Sequence, residues 1–463
     1  EVAPPGFLNF VLDPATVRQL LSELLKKEAK FFRAGKPSGH KAIIEFVSAN
    51  PTGPLSIAHG RQAVVGDVIA SLLKFTGTEV TREYYINDAG RQTDLLSQSV
   101  ACAMDDKPVP EDGYHGGYIK DIATSALADS GYKADPKNFD IKEFSLSGCL
   151  DWIKNDLNAL GVHFDTWVSQ QKDVIDKSKI DKALEFLAAK GLTFEEEDAL
   201  WFSSTKFGDD KDRVIKKSDG ELTYFASDIA YHKDKIERGF DTIINLWGPD
   251  HHGYIPRVAS AIEALGLDRK ALEVIIIQLV TIKSKGRMSK RKGTAILLSE
   301  LIEEVGKDAA RFYYLRRKNA SHLEFDVDLA QAKSFDNPLY YIQYAHARIC
   351  SIIAKYASEV GPLDDLDLNS VDRLGEEGEL ALIKEALQFK NVVVLAASQR
   401  EPYAIVDYLG TLAAAFHKFY EVYKVVDKAD PVLSGGRILL IKAVKIVLAL
   451  GLSLLGVDAP EKM

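Results

Sequence analysis

The sequence predicts a doubly wound α/β domain with a parallel sheet and an inserted domain, followed by an all-α C-terminal domain. Three observations carry this expectation. Over the first hundred residues, short β-branched apolar runs alternate with helical spacing, which is the pattern of βαβ units. Between about 95 and 205 that alternation breaks, and strand signals then return. From about residue 326 onward the pattern is helical, with no strand-like alternation. A chain of 463 residues exceeds one ordinary domain, so two or three are expected.

Taken in order, "EVAPPGFLNFVLD" has no basic stretch followed by an apolar core, so it reads as no targeting signal. "KAIIEFVSAN", 41–50, reads as a buried strand, apolar and β-branched at its centre. The next turn contains Pro51, Gly53 and Pro54, which stiffen the chain and allow close backbone approach. A helix then starts near Ser56, with Ile57, Val64, Val65, Val68, Ile69, Leu72 and Leu73 at helical spacing and Gly77 just past its end. "EVTREYYINDAG" gives another strand. The stretch 95–205 mixes polar helices with loops such as "PVPEDGYHGGY" and reads as the insertion. Strand signals return at "ELTYFASD", "DTIINLWGPDHH" and "EVIIIQLV", the last leading into "TIKSKGRMSKRKGT". In the helical part, "ILLIKAVKIVLALGLSLLGV" is long enough to span a bilayer. Lys442 and Lys445 lie inside it without flanking anchors, so a buried, partly amphipathic helix is expected.

Composition narrows the function. With 46% hydrophobic and 27% charged residues the chain reads as soluble and globular. Its net charge of -9 advertises no global nucleic-acid binder, so any such surface is a local basic patch. Cys102, Cys149 and Cys350 are far apart and form no CxxC pair. That argues against a disulfide framework and a cysteine-rich zinc site, and fits a reducing cytoplasm.

Three stretches carry chemistry. The first is the turn before the helix at Ser56. Free N–H groups and the positive dipole end of a helix suit phosphate, and His59 in the first turn is placed to donate to a phosphoryl oxygen. Ser56 equally reads as the helix N-cap, and His59 alone as a surface or core histidine. The second is "KSKGRMSKRKG": six of the ten residues from Lys283 to Lys292 are basic. Such a loop suits a polyphosphate whose charge grows in the transition state, or is a solvated or generic nucleic-acid patch. The third is "LWGPDHHGY", at a strand end where open α/β sheets bind ligands. Gly248 lets a flat ring approach, and Asp250 can accept from ribose hydroxyls. His251 and His252 raise a metal site, but adjacent histidines point apart on most backbones and no third ligand is near, so none is assigned.

In this order, "NPTGPLSIAH", "WGPDHH" and "GRMSKRKG" resemble the class I aminoacyl-tRNA synthetases. The wider stretches "EFVSANPTGPLSIAHGR", "YYINDAGRQ", "YFASDIAYHKDK", "NPLYYIQYAHARICSI" and "LGVDAPEKM" are similar to the arginyl-tRNA synthetases, over nearly the whole chain. The resemblance implies a Rossmann-like catalytic domain over 15–325, with the signature loop at 283–294. It implies an α-helical anticodon-binding domain over 326–463, joined through "GKDAARFYYLRR", and makes 1–14 the tail of an N-terminal tRNA-binding domain.

It also implies roles by position. The ATP signature, usually His-Ile-Gly-His, is here Ser56-Ile57-Ala58-His59, with its first histidine replaced by serine and its glycine by alanine. Asn50, Pro51, Thr52, Gly53, Pro54, Ser56, His59, Gly248, Asp250 and His251 are implied to bind ATP. So are Arg287, Met288, Ser289 and Lys290, which match the Lys-Met-Ser-Lys signature. His59, Lys290 and Ser56 are the implied catalytic groups. Glu45, Ser48 and Asn50 are implied to hold the main-chain groups of arginine, with Tyr224, Asp228 and His252 at the remainder. A carboxylate is the natural acceptor for the planar guanidinium fork. Asp228 also reads as the N-cap of "DIAYHKDKI", and the two roles do not exclude each other.

Tyr340, Tyr344, His346 and Arg348 offer stacking faces and charge for unpaired tRNA bases, while the same aromatics also read as helix core. The implied reaction has two steps. The arginine carboxylate attacks the α-phosphate of ATP, releasing pyrophosphate, and the terminal ribose hydroxyl of the tRNA then attacks the adenylate. L-arginine, ATP and tRNA(Arg) are the implied partners, with Mg²⁺ accompanying the nucleotide, no tightly bound protein metal, no membrane, and a monomeric cytoplasmic enzyme. The contrasting reading is a synthetase-like module that holds tRNA or a partner without catalysis, and Ser56 is the sole feature favouring it.

Overall fold

The computed structural model describes residues 2–3, 7–8, 12–33, 39–283 and 296–463. A short antiparallel ribbon, β1 (Val2–Ala3) with β2 (Phe7–Leu8), precedes α1 (Pro14–Lys27). Asp13 caps α1 by accepting from the Ala15 N–H at 3.2 Å, and Val17, Leu21 and Leu24 form its buried stripe.

The α/β fold then begins with β3 (Lys41–Glu45), α2 (Ile57–Phe75) and β4 (Glu79–Ile86). A helical insertion follows: α3 (Arg91–Met104), α4 (Gly117–Ala128), α5 (Ser130–Ala134) and α6 (Ile141–Ala159), around a small core that includes Leu96, Ile119, Ile122 and Cys149. β5 (Thr166–Ser169) rejoins the main sheet. Next come α7 (Lys179–Ala189) and an antiparallel sheet of β6 (Thr193–Glu196), β7 (Ala199–Phe202) and β8 (Arg213–Lys216). α8 (Tyr224–Glu237), β9 (Thr242–Trp247), α9 (Ile255–Ala264) and β10 (Leu272–Ile276) complete the doubly wound unit.

The main sheet is parallel, in the order β10-β9-β3-β4-β5. The chain proceeds from β3 outward to β4 and β5, then returns to β9 on the other side of β3. The direction of winding therefore reverses between β3 and β9, which opens a crevice at their carboxyl ends.

Beyond β10, β11 (Val280–Lys283) pairs in parallel with β12 (Leu323–Asp326), and α10 (Leu298–Val305) and α11 (Lys307–Tyr314) lie between them in sequence. α12 (Val327–Gln331), α13 (Pro338–Glu359), α14 (Glu377–Gln399), α15 (Tyr403–Val422) and α16 (Pro431–Leu454) form the helical domain. α16 is the apolar segment weighed above as a span. It lies buried against α13 and α15, and no helix among the described residues is long and apolar enough to cross a membrane.

The structure differs from the sequence expectation at four places. The strand expected over 41–50 stops at Glu45, because Val47 and Ser48 take positive φ values of 67° and 38°. "ELTYFASD" is not a strand: Leu222 makes one bridge to Lys216, and α8 starts at Tyr224 behind Thr223 in an extended cap conformation. The single insertion expected over 95–205 is two, because β5 inside that range pairs with β4 and the antiparallel sheet runs on to Lys216. α1 lies within the expected catalytic range 15–325 but packs on the helical domain, against α14 and α16, and just past it the Phe32 ring lies 5.2 Å from that of Phe389.

Candidate active site

A cleft of about 540 Å³ opens at the carboxyl ends of β3 and β9. Its first wall is the turn after β3. The Ser48 N–H donates to Phe46 O at 2.9 Å across Val47, closing a three-residue turn. A positive φ at a β-branched residue is strained, and such strain gathers where a functional geometry is over-determined. The strained turn aims Ser48 back at the strand. Its Oγ–H donates to Glu45 Oε1 at 2.9 Å, and its Oγ accepts from the Tyr85 N–H at 3.1 Å.

The second wall is the first turn of α2. Ser56 is the N-cap, in extended conformation, and its backbone N–H donates to His59 Nδ1 at 3.1 Å. Ser56 Oγ also reaches Nδ1, at 3.2 Å. An Nδ1 that accepts leaves the proton on Nε2. Burial pushes the His59 pKa down, so the ring is neutral at pH 7 with one donor, Nε2–H, available to the cleft. The Ile57 N–H is already taken by Ile296 O at 3.2 Å, so the donor this turn offers an anion is the neutral His59 ring at the positive end of the helix.

The third wall is α8. Tyr224 is its first residue, Asp228 lies one turn on, and Tyr231, His232 and Lys235 continue the same face. Asp228 is therefore inside the helix, and Thr223 is the N-cap, which corrects the capping alternative. Tyr254 donates a short hydrogen bond to Asp228 Oδ2. Burial, with some help from the charge of Glu45, pushes the Asp228 pKa up to about 6. Tyr224 is 62% exposed at the rim.

A continuous hydrogen-bond chain fixes this floor. The His232 Nδ1–H donates to Asp228 O at 2.8 Å, and Asn245 Nδ2 donates to His232 Nε2 at 3.1 Å. Lys235 donates to Asn245 Oδ1 at 3.3 Å and, as a fully buried ammonium, to Glu45 Oε2. His232 is pushed down to about 3, by burial first and the Lys235 charge second, so it stays neutral and structural. Behind it, buried Glu83 accepts from both Nη groups of Arg238 at 2.6 and 2.9 Å and from Tyr231 at 2.6 Å, clamping α8 to β4.

The fourth wall is the turn after β9. Gly248, Asp250 and His251 line it, with Asp250 Oδ1 3.3 Å from His251 Nδ1. A Cβ on Gly248 would sit 2.5 Å from Asp250 Oδ1, so a larger residue there would push that exposed carboxylate aside. His252 is exposed and takes no part in the cleft wall. An adjoining hollow of about 920 Å³ shares Asn50 and His59 with the cleft and is lined by Thr52, Gly53, Pro54 and Tyr118 of α4. Pro51 is buried beneath its turn. Asn50 is held by Asn87 Nδ2 at 3.0 Å and by Gln92. Arg287, Met288, Ser289 and Lys290 lie outside the described residues. Among those described, no three His, Cys, Asp or Glu side chains group as metal ligands.

Comparison with known proteins identifies the family. The family description "tRNA synthetases class I (R), catalytic domain" matches residues 20–333, and "DALR anticodon binding domain" matches 342–463. An arginine–tRNA ligase of Anoxybacillus flavithermus is 45% identical over all of this chain and 85% of its own length. The chain belongs to the arginyl-tRNA synthetase family. An arginine–tRNA ligase of Halorhodospira halophila is 42% identical over the whole chain. A Campylobacter jejuni structure described as an arginyl tRNA synthetase superposes with a TM-score of 0.88 at 36% identity, covering 98% of this chain and 100% of its own. Thermus thermophilus arginyl-tRNA synthetase, at 23% identity and a TM-score of 0.78 over 100% of this chain and 88% of its own, shows the shared fold.

Within this family frame, the helical domain sorts the four candidate tRNA contacts. Tyr340 and Tyr344 are half-buried and stacked, with ring centroids 6.2 Å apart, and with Tyr341, His417 and the 59% exposed Phe335 they form one aromatic patch. Arg348 is exposed and lies 5.1 Å over the Tyr420 ring. His346 is different: it is 2% exposed and donates from Nδ1 to Pro460 O at 2.8 Å, fastening the C-terminal tail. It offers no stacking face. Sequence reasoning missed Tyr231, Lys235 and Asn245. The first two follow Tyr224 and Asp228 at helical spacing, so the signal was present once α8 was read as a helix.

Proposed function

We propose that this chain activates L-arginine with ATP and transfers it to tRNA(Arg). The observation that carries this reading is one cleft lined both by neutral His59 at the start of α2 and by the Asp228 carboxyl of α8. The triphosphate lies along the α2 start, where the helix dipole and His59 Nε2–H stabilise phosphoryl charge. Asp250 takes the ribose hydroxyls and Gly248 gives room to the adenine. The guanidinium of arginine pairs with Asp228, beneath Tyr224. Glu45, Ser48 and Asn50 hold the amino and carboxylate groups, which puts the carboxylate oxygen in line with the α-phosphate. Lys290, on the segment that follows β11, meets the departing pyrophosphate. Mg²⁺ would accompany the nucleotide and would help neutralise its phosphates.

The tRNA stacks unpaired bases on the Phe335–Tyr340–Tyr344 patch, with Arg348 beside it. Three unpaired cysteines support a reducing cytoplasm. Pyrophosphate exchange with arginine, ATP and tRNA(Arg) tests the reading. Exchange that requires all three is expected. Binding of tRNA without any exchange would refute it and favour a non-catalytic module.

A further inference from the structure

Gln62 lies one turn beyond His59, on the same face of α2. The residues around it, Gly60, Arg61, Ala63, Val64, Val65 and Gly66, are buried. His59 and Gln62 are the two places where α2 lines the cleft. The Gln62 amide reaches the turn after β9, with Nε2 3.8 Å from the position a Cβ on Gly248 would take. Asp250 Oδ1 lies 2.5 Å from that same position. An amide from α2 and a carboxylate from the β9 turn therefore converge above Gly248.

The amide is uncommitted. Gln62 makes no hydrogen bond among the described residues. The neighbouring amides of the cleft are tied: Asn50 is held by Asn87 and Gln92, and Asn245 by His232 and Lys235. A half-buried amide without a partner gives up solvation that an apolar side chain would not miss. Ligand clefts carry a few such groups, aimed at what they bind. The chemistry of the pair also selects a ligand. A ribose hydroxyl both donates and accepts, whereas a carboxylate only accepts. Asp250 alone would take the protons of a ribose diol and leave its lone pairs unanswered. Gln62 Nε2 brings two N–H donors to the same point.

We infer that Gln62 is a specificity-determining contact for the ribose of ATP, donating from its amide to a hydroxyl that Asp250 accepts from. The inference rests on the reading of the Gly248–Asp250 turn as the nucleoside site. It gives α2 two tasks one turn apart: His59 meets the phosphates, and Gln62 meets the sugar that carries them.

The test is Gln62→Met in the full chain, read by pyrophosphate exchange with arginine and tRNA(Arg). Methionine keeps the length of the side chain and removes both polar ends. The ATP KM should rise about threefold to tenfold, the range for one neutral hydrogen bond. The kcat and the arginine KM should change by less than about twofold, because binding is lost and not chemistry. In 2′-deoxy-ATP and 3′-deoxy-ATP one hydroxyl is missing. For at least one of them the substitution should move KM by less than about twofold, since the contact is already absent. The unfolding temperature should not fall, because the free protein loses no bond. Gln62→Glu removes the donor and sets a second carboxylate beside Asp250, so its ATP KM should rise further, which keeps the test open should Gln62→Met fold poorly.

A rise shared equally by ATP and both deoxy analogues would overturn the inference, as would an unchanged ATP KM in either variant. An unsubstituted chain without exchange would sink the proposed function and this inference together. An active chain that uses ATP and both deoxy analogues alike would sink the ribose reading of Asp250 as well. An active chain that prefers ATP but is indifferent to both substitutions would sink this inference alone.

Discussion

Asp228→Asn separates a guanidinium acceptor from a structural carboxyl. In the free protein burial raises the Asp228 pKa from 3.8 to about 6, although Tyr254 already donates to it. A bound guanidinium would supply the missing counter-charge and hold the carboxylate ionised. Replacing it by an amide removes a charged hydrogen bond worth on the order of 1.5–3 kcal/mol, so the arginine KM should rise by a factor of roughly 10–150. The ATP KM should hardly move, because the phosphate site proposed above lies on the α2 wall. The pH profile adds an independent check. Above pH 7 the carboxylate is ready and the arginine KM should be flat. Below about pH 6 protonation competes, and the KM should climb toward tenfold per pH unit.

The variant should lose that slope, since an amide does not titrate. Stability should move the opposite way. A carboxyl whose folded pKa is raised is destabilising wherever the unfolded chain would ionise, fully above about pH 6 and not at all below 3.8. Asp228→Asn should therefore raise the unfolding temperature at pH 7 and lose that advantage near pH 4. The shift caps the gain at about 3 kcal/mol, and access to the cleft lowers it. Exchange kinetics from pH 5.5 to 8, with thermal unfolding over the same range extended to pH 4, measure both effects. An unchanged KM, or parallel pH slopes in the two proteins, would refute the assignment.

Lys290→Ala should lower the adenylation kcat by about 10²–10³, with small changes in the arginine and ATP KM values and near-normal transfer from preformed adenylate. A rise confined to the tRNA KM would make the basic stretch a tRNA contact instead. His59 is held neutral by burial, so the adenylation rate should show no loss as pH rises through 6.5, and a descending limb there that His59→Asn removes would show that a cationic ring is needed. Tyr344→Ala should raise the tRNA KM by the equivalent of about 1–3 kcal/mol per stacked base and spare the arginine KM, as filter binding and exchange kinetics would report. His346→Ala should instead lower the unfolding temperature, because it frees the tail at Pro460, and a selective loss of tRNA affinity would contradict that.

The β3–α2–β4 unit was legible in the sequence because each of its features is local. An apolar run makes the strand, a proline-rich turn ends it, and a serine cap opens a helix with an unbroken apolar stripe. What was illegible depends on partners far along the chain. Glu83 and Arg238 are 155 residues apart, and His346 and Pro460 are 114 apart, so no window of sequence shows either pair. "YYIQYAHARI" gives Tyr344 and His346 similar surroundings in sequence, and only the docked tail decides that one is half-buried and the other sealed. The same holds for α1: its amphipathic stripe predicts a helix but not which domain covers it. "ELTYFASD" misled because its β-formers outweighed the helical spacing of Tyr224, Asp228, Tyr231 and Lys235, which became informative only with the helix start known.

Ser56 is where the sequence departs from its family signature, and the structure indicates why that departure is compatible with catalysis. A histidine one turn into a helix is useful to a phosphate only if the correct nitrogen carries the proton. Here the Ser56 backbone N–H occupies Nδ1 at 3.1 Å, so any residue at this cap that keeps the same extended backbone supplies that bond. Serine adds Oγ at 3.2 Å from the same nitrogen, and it favours the cap conformation on which the backbone bond depends. The donor that a histidine in this position would aim at the phosphates is lost. The orientation and tautomer of His59, which sets the second donor, are retained. Of the two signature histidines, the one whose contact survives is held by the residue that replaced the other, so the loss is one charge-assisted contact and not the geometry of the site.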